Sequence, residues 1–185
     1  MKVEPFIKLK DVRSIKKLLA NNLRDRLLFI LGINAGLRVQ DLLALKVKDV
    51  SDLKVGARIS LIEKKTNKEN VLIINKDIKE ALDAYLESAV HDEQHHLFKS
   101  RKGKNYPITT FAVTKYVKQW AEAINLKGNY GAHTLRKTWC YHQRKTFGVS
   151  WELISKRCNH SSPSITRRYL GIQEGEVEKI LLNTI

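Results

Sequence analysis

Apolar residues recur along most of this chain at three- and four-residue spacings, the period of a helix with one buried face. Val12, Ile15, Leu18 and Leu19 share such a face, and Asp11 stands where it can cap a helix running to about residue 20. Asn21-Asn22 interrupts the pattern, and 23–34 reads as a second, more buried helix with Gly36 as its stop. A third helix is predicted over 38–45, with Leu42, Leu43 and Leu45 inward. The period then changes to that of strands over 58–63 and 71–74, joined by a turn rich in Lys and Asn. Helices return over 76–88 (capped by Asn75; Ile78, Leu82, Tyr85 and Leu86 inward) and from Thr109 or Thr110 to about 124 (Phe111, Val113, Val117, Trp120 and Ala121 packing). Three more are expected over 131–147, over 151–158 after Ser150, and from Ser162-Pro163 onward. A last short helix over 174–185 carries Val177, Ile180, Leu181 and Leu182. The fold class is therefore α+β, mainly α, with a small antiparallel β-sheet.

The length, 185 residues, suits one domain with a sizeable core. Charge changes the picture most. Lys plus Arg number 34 against 19 Asp plus Glu, a net +15 spread from Lys2 to Lys179. That is the pattern of a folded surface wrapping a polyanion, and nucleic acid is the first candidate. Cys140 and Cys158 fit no zinc spacing and read as reduced, partly buried thiols of a cytoplasmic protein. His91 to His96 nearly forms a His-Glu-x-x-His zinc motif, but Glu93 is one place too late, and a polar loop is the expectation. No apolar run approaches a membrane span of roughly 18 residues.

Candidate chemistry concentrates between Gly131 and Tyr169. His133 and Arg136 stand three apart, a same-face spacing on a helix. Asn159-His160 follows, and Tyr169 lies nine residues beyond His160 beside Arg167 and Arg168. Upstream are Gly36-Leu37-Arg38-Val39-Gln40-Asp41-Leu42 and, on the hairpin turn, Lys65-Thr66-Asn67-Lys68-Glu69. In this order, the five elements resemble the catalytic domain of the tyrosine recombinases, the phage integrase family, over about residues 10 to 172. The resemblance implies the DNA breaking-rejoining fold over 1–172, a tail helix over 173–185, and absence of the N-terminal core-binding domain that most integrases carry.

The resemblance also implies roles. Arg38 and Arg136 would grip the non-bridging oxygens of a phosphodiester, a task suited to a planar, permanently charged group. Arg38 would do so from the N-terminal end of a helix, where unpaired N–H groups favour phosphate. Tyr169 would attack phosphorus, with His133 as general base and His160 on the phosphate or the tyrosine. Lys65 would protonate the leaving 5′ oxygen; a one-residue shift of register would give that part to Lys64. The product would be a 3′-phosphotyrosyl link, with no metal and no cofactor, because the arginines supply the positive charge. The partner would be double-stranded DNA, engaged by a homo-tetramer on two sites, with no membrane and no small-molecule substrate. A bacterial cytoplasmic or phage origin goes with this.

Two departures stand out. Lys137 occupies a position where many relatives have a second His, and Asn159 replaces the usual Gly before His160. Competing readings are a type IB topoisomerase, which uses a similar residue set, and a non-catalytic DNA-binding remnant. The plain alternatives are that Arg38 forms an ion pair with Asp41 and that Tyr169 is a packing residue.

Overall fold

A computed structural model of the protein describes residues 2–102 and 104–170. The predicted tail helix and its apolar stripe lie outside the described residues. Eight helices and one hairpin follow in the order α1 (Leu9–Leu18), α2 (Leu23–Ala35), α3 (Val39–Leu42), β1 (Arg58–Ile62), β2 (Glu69–Ile73), α4 (Lys76–Glu87), α5 (Thr110–Ala123), α6 (Ala132–Lys145), α7 (Trp151–Arg157) and α8 (Pro163–Leu170).

Helix α2 is the axis of the core. Leu27, Leu28, Phe29 and Leu31 are fully buried, and α4 and α6 pack on it from two sides. The α2–α6 approach is close because Gly32 carries no Cβ: one added there would lie 2.6 Å from Leu135. Asn22 starts α2 by accepting the Asp25 N–H, and Gly36 ends it at φ 64°, in the left-handed region. Asn75, Thr109 and Ser150 cap α4, α5 and α7 through their side chains. Phe29 meets Trp120 edge-on at 5.8 Å and Phe6 at 6.1 Å. The N-terminal segment, which has no period in the sequence, runs extended over α6, where the Phe6 N–H donates to Thr138 Oγ1 at 2.9 Å. A second apolar cluster of Cys140, Trp151, Ile154, Cys158 and Leu170 seats α7 and α8 against α6.

Several boundaries differ from expectation. Helix α1 begins at Leu9, so Asp11 lies in its first turn rather than at its cap. Leu18 falls on the flank of the Val12–Ile15–Leu19 face and is exposed. Phe111 also faces outward, with Lys115 Nζ 4.8 Å from its ring centroid. Helix α3 stops after four residues, although Leu42, Leu43 and Leu45 are buried as expected. The Leu97 N–H takes the Leu45 carbonyl, the Val47 N–H donates to His95, and Lys46 bridges to His96, so a distant segment draws the chain out of the helix. With one turn of helix there is little dipole, and an anion-binding role for the α3 N-terminus is dropped. The strands pair antiparallel from Arg58↔Ile73 to Ile62↔Glu69, which places residue 63 in the loop and 69 and 70 in the second strand.

Candidate functional site

Each motif residue arrives from a different element. Arg38 precedes α3 directly after the left-handed Gly36. Its side chain is 12% exposed and pairs with fully buried Glu63 at 2.5 Å, not with Asp41. Asp41 instead accepts the Lys64 N–H at 2.9 Å, which fastens the hairpin loop to α3. That loop closes through the Glu63 N–H to the Lys68 carbonyl and the Asn67 N–H to the Glu63 carbonyl, each 2.9 Å. Asn67 sits at φ 53°, a conformation asparagine tolerates well. The loop sends Lys65, not Lys64, into a pocket of about 180 Å³ lined also by Arg38, Gln40, Thr110 and His133.

His133 and Arg136 lie on α6. His133 is exposed at the pocket, whereas Arg136 is 2% exposed. Arg136 Nη2 donates to the Cys158 carbonyl at 2.6 Å, but Nε and Nη1 are buried with no acceptor among the described residues. Directly after Cys158, the turn that carries His160 is set by Asn159 at φ 49°. The left-handed position that usually calls for glycine is thus kept by asparagine. His160 Nδ1 is 2.8 Å from Thr166 Oγ1, and its ring lies edge-to-face with Tyr169, centroids 5.4 Å apart. Lys137, itself buried, places Nζ 4.9 Å from the Tyr169 ring centroid. The Tyr169 hydroxyl is buried and has no hydrogen-bond partner among the described residues. Arg167 and Arg168 are exposed on the same helix.

Electrostatics follows from burial among cations. Burial, and then Arg136 and Arg38, hold the His160 imidazole down at about 4. His133 is lowered for the same reasons, by desolvation in the cleft and then by Arg136, Lys65 and Arg38. Both imidazoles are neutral at pH 7 and can take a proton. Burial raises the Tyr169 phenol, with Arg136 and Arg38 opposing it. Burial also raises the Asp41 carboxyl, whose Oδ2 has no partner. The base expected for Tyr169, His133, makes no hydrogen bond to its hydroxyl, and the imidazole against its ring is His160. The thiols of Cys140 and Cys158, expected partly buried, are fully buried with sulfurs 3.4 Å apart. Among the described residues, no three His, Cys, Asp or Glu side chains gather as a metal-holding group, and no helix is long and apolar enough to cross a membrane.

Sequence reasoning missed Glu63 and Thr166 as parts of this arrangement, and marked Lys137 only as a departure from the family pattern. Only Glu63 carried a signal: a carboxylate ending an apolar strand must find partners if the strand is buried.

An arrangement with two arginines, two neutral imidazoles, a hairpin lysine and a buried phenol defines a class, and the chain as a whole agrees with it. Residues 5–176 match the model of the phage integrase family, and the chain belongs to that family. The probable integrase/recombinase YoeC of Bacillus subtilis is 37% identical over 174 residues, spanning 93% of this chain and 91% of the relative. The tyrosine recombinase XerA of Pyrococcus horikoshii is 28% identical over 157 residues, but the match spans only 53% of that protein. The crystal structure of XerA recombinase superposes with a TM-score of 0.75 at 18% identity, covering 97% of this chain and 65% of the other. The XerH site-specific recombinase bound to palindromic difH substrate gives 0.73 at 23% identity, covering 93% and 49%. These structural likenesses are likenesses of fold.

Proposed function

We propose that this chain is a site-specific tyrosine recombinase that cleaves and rejoins double-stranded DNA. The observation that carries the reading is Arg136: a guanidinium 2% exposed with two nitrogens that no described residue accepts from, close to a phenol whose hydroxyl also has no partner among the described residues. Buried donors left unpaired are costly, and a ligand with charged oxygens would relieve that cost.

In this reading Arg38 and Arg136 hold the non-bridging oxygens of the scissile phosphate and stabilise the charge that builds up as the nucleophile adds. Tyr169 Oη attacks phosphorus, the Oη–P bond forms and the P–O5′ bond breaks. His133 accepts the phenolic proton, His160 orients the ring and the phosphate, and Lys65 supplies a proton to the departing 5′ oxygen. The attack of the 5′ hydroxyl reverses each transfer and rejoins the strand without an added energy source. A raised phenol keeps Tyr169 protonated at rest, so the nucleophile is released only when a phosphate is engaged. Assembly as a homo-tetramer on two DNA sites, with 173–185 linking protomers, completes the proposal, as does action on a phage or mobile element in the bacterial cytoplasm. The recombinase names of the matched relatives favour strand exchange over topoisomerase-like relaxation.

The test is a pool of nicked duplexes with randomised cores, incubated with the protein in EDTA. The nick lets the cut end diffuse away and traps the covalent link. An SDS-resistant complex should form, its DNA should converge on one site, and peptide mapping should place the link on Tyr169. A protein that binds the pool but yields no such complex, or one linked elsewhere, overturns the proposal; relaxation of plasmids lacking the selected site would favour the topoisomerase reading.

A further inference from the structure

We infer that Glu63 is a positioning residue, the buried carboxylate that holds Arg38 to the Lys65 loop and to the turn that carries His160. Its consequence for cleavage rests on the recombinase reading above. Glu63 is 0% exposed. One oxygen, Oε2, accepts from Arg38 Nη1 and from Thr66 Oγ1, both at 2.5 Å. The other, Oε1, accepts from Asn70 Nδ2 at 2.9 Å. Asn70 Nδ2 also donates to the Arg157 carbonyl at 3.4 Å, which carries the connection on to the turn ahead of His160. Thr66 directly follows Lys65, so one side chain ties together the segments that carry Arg38, Lys65 and His160, although these span more than a hundred residues of sequence.

Burial opposes a charge here, but the donors from Thr66, Asn70 and Arg38 outweigh it and hold the carboxyl down at about 2. Glu63 is therefore an anion at any working pH. A buried charge so fully paired sets geometry: each donor has a fixed direction, and an apolar replacement would take the acceptor from three of them. Asn70 is itself held, because its Oδ1 accepts from the Val71 N–H at 2.8 Å and from Arg157. It cannot flip to suit a different neighbour. Arg157 continues the chain of contacts to the Ala35 carbonyl at the end of α2, one residue before the Gly36 turn that leads to Arg38.

Glu63→Gln is the informative change. It keeps the shape, but its amide nitrogen must face either Asn70 Nδ2 or the Arg38 guanidinium, donor against donor. Hydrogen exchange of the free protein, read by mass spectrometry, follows peptides covering 36–44, 63–71 and 157–162. All three should exchange about tenfold faster or more, the loss expected when bonds to a charged group go, while peptides of α2 and α5 keep their rates. Thr66→Val, which deletes one donor and spares the charge, should give the same three-peptide pattern at lower amplitude. Faster exchange in 63–71 alone in both variants, or uniformly through α2 and α5, overturns the inference.

A second measurement uses single-turnover adduct formation on the nicked duplex selected above. Glu63→Gln should slow it about tenfold with DNA affinity within about twofold, and should slow it no further in an Arg38→Lys background, as for two residues acting through one contact. Equal losses in both backgrounds overturn the positioning role. If wild-type protein forms no adduct on any duplex, the recombinase reading falls, while the exchange pattern still decides whether Glu63 holds the three segments.

Discussion

Removing the hydroxyl of Tyr169, the proposed nucleophile, should make this protein more stable. In Tyr169→Phe the ring keeps its edge-to-face contact with His160 and its place beneath Lys137 Nζ. Only Oη is lost, and Oη is a buried oxygen with no hydrogen-bond partner among the described residues. An unsatisfied buried polar group costs about 1–3 kcal/mol, and deletion recovers that cost without opening a cavity. The lower end applies, because the ring edge is not wholly enclosed, so the expected gain is about 1 kcal/mol. For a chain of this length that raises the melting temperature by about 2–4 °C. The assay is paired: urea unfolding at pH 7.5 for stability, and the SDS-resistant adduct for chemistry. The variant should unfold at higher urea, bind DNA as wild type does, and form no adduct. A packing tyrosine with a satisfied hydroxyl would behave in the opposite way, losing about 1 kcal/mol on conversion to Phe. A destabilised Tyr169→Phe would therefore show that Oη has a partner in solution and would refute the reasoning from its isolation.

Two further outcomes follow from single positions. Gly36→Ala places a Cβ at φ 64° and 2.8 Å from the Trp139 ring, so it should cost about 2–4 kcal/mol in urea unfolding; a loss below about 1 kcal/mol would mean that the α2–α3 turn is not held as described. His160 gives an acid limb: its imidazole titrates at 6.5 unfolded but about 4 folded, so its stability is fully present above pH 6.5 and is lost as pH falls through about 4. After allowance for solvent screening the loss is about 2 kcal/mol. Glu63, lowered from 4.5 to about 2, stays stabilising until pH falls below 4.5, so it does not blur the window between 6.5 and 4.5. His160→Gln should flatten the stability profile there, and an unchanged slope would remove His160 as its cause.

What the sequence reveals, and what it hides, divides along the range of the interactions involved. Helices whose ends are set by their own side chains were legible: Asn75, Thr109 and Ser150 cap where they were expected to, and Asn22, read only as a break, caps α2. Helix α3 was not, because its end is set by backbone bonds to residues 95–97, half a domain away in sequence. Phe111 misled because helical spacing alone does not say which of two adjacent faces meets the core. The candidate site shows the same division. Its motif residues could be listed from short local runs, and the structure brings Arg38, Lys65 and His133 to one pocket and Arg136, His160 and Tyr169 into one neighbourhood within electrostatic reach of Arg38. The partner of Arg38 could not be listed. The local rule favoured Asp41, one turn away, but that carboxylate is drawn to the Lys64 amide, and the salt bridge forms with Glu63 across the fold.

The two arginines are thus not equivalent, and the difference bears on how the site meets its ligand. Arg38 is charge-balanced in the free protein: Glu63 holds one edge of its guanidinium, so its direction is fixed before any phosphate arrives. Among the described residues, Arg136 has a carbonyl on one nitrogen and no acceptor on the other two. The protein therefore bears the cost of burying Arg136 until an anion shares it, and that cost is offset by the core that α6, α7 and α8 build around Cys140, Cys158 and Leu170. An oxyanion that completes Arg136 binds the folded state alone, since the unfolded chain has no such pocket, and so must stabilise the fold by RT ln(1 + [L]/Kd). Position is built in through Arg38, and charge is left open at Arg136. A site made this way keeps its geometry without DNA and gains most of its electrostatic stabilisation only when the phosphate is in place. That is the order differential binding requires if the arginines are to favour the transition state over the empty site.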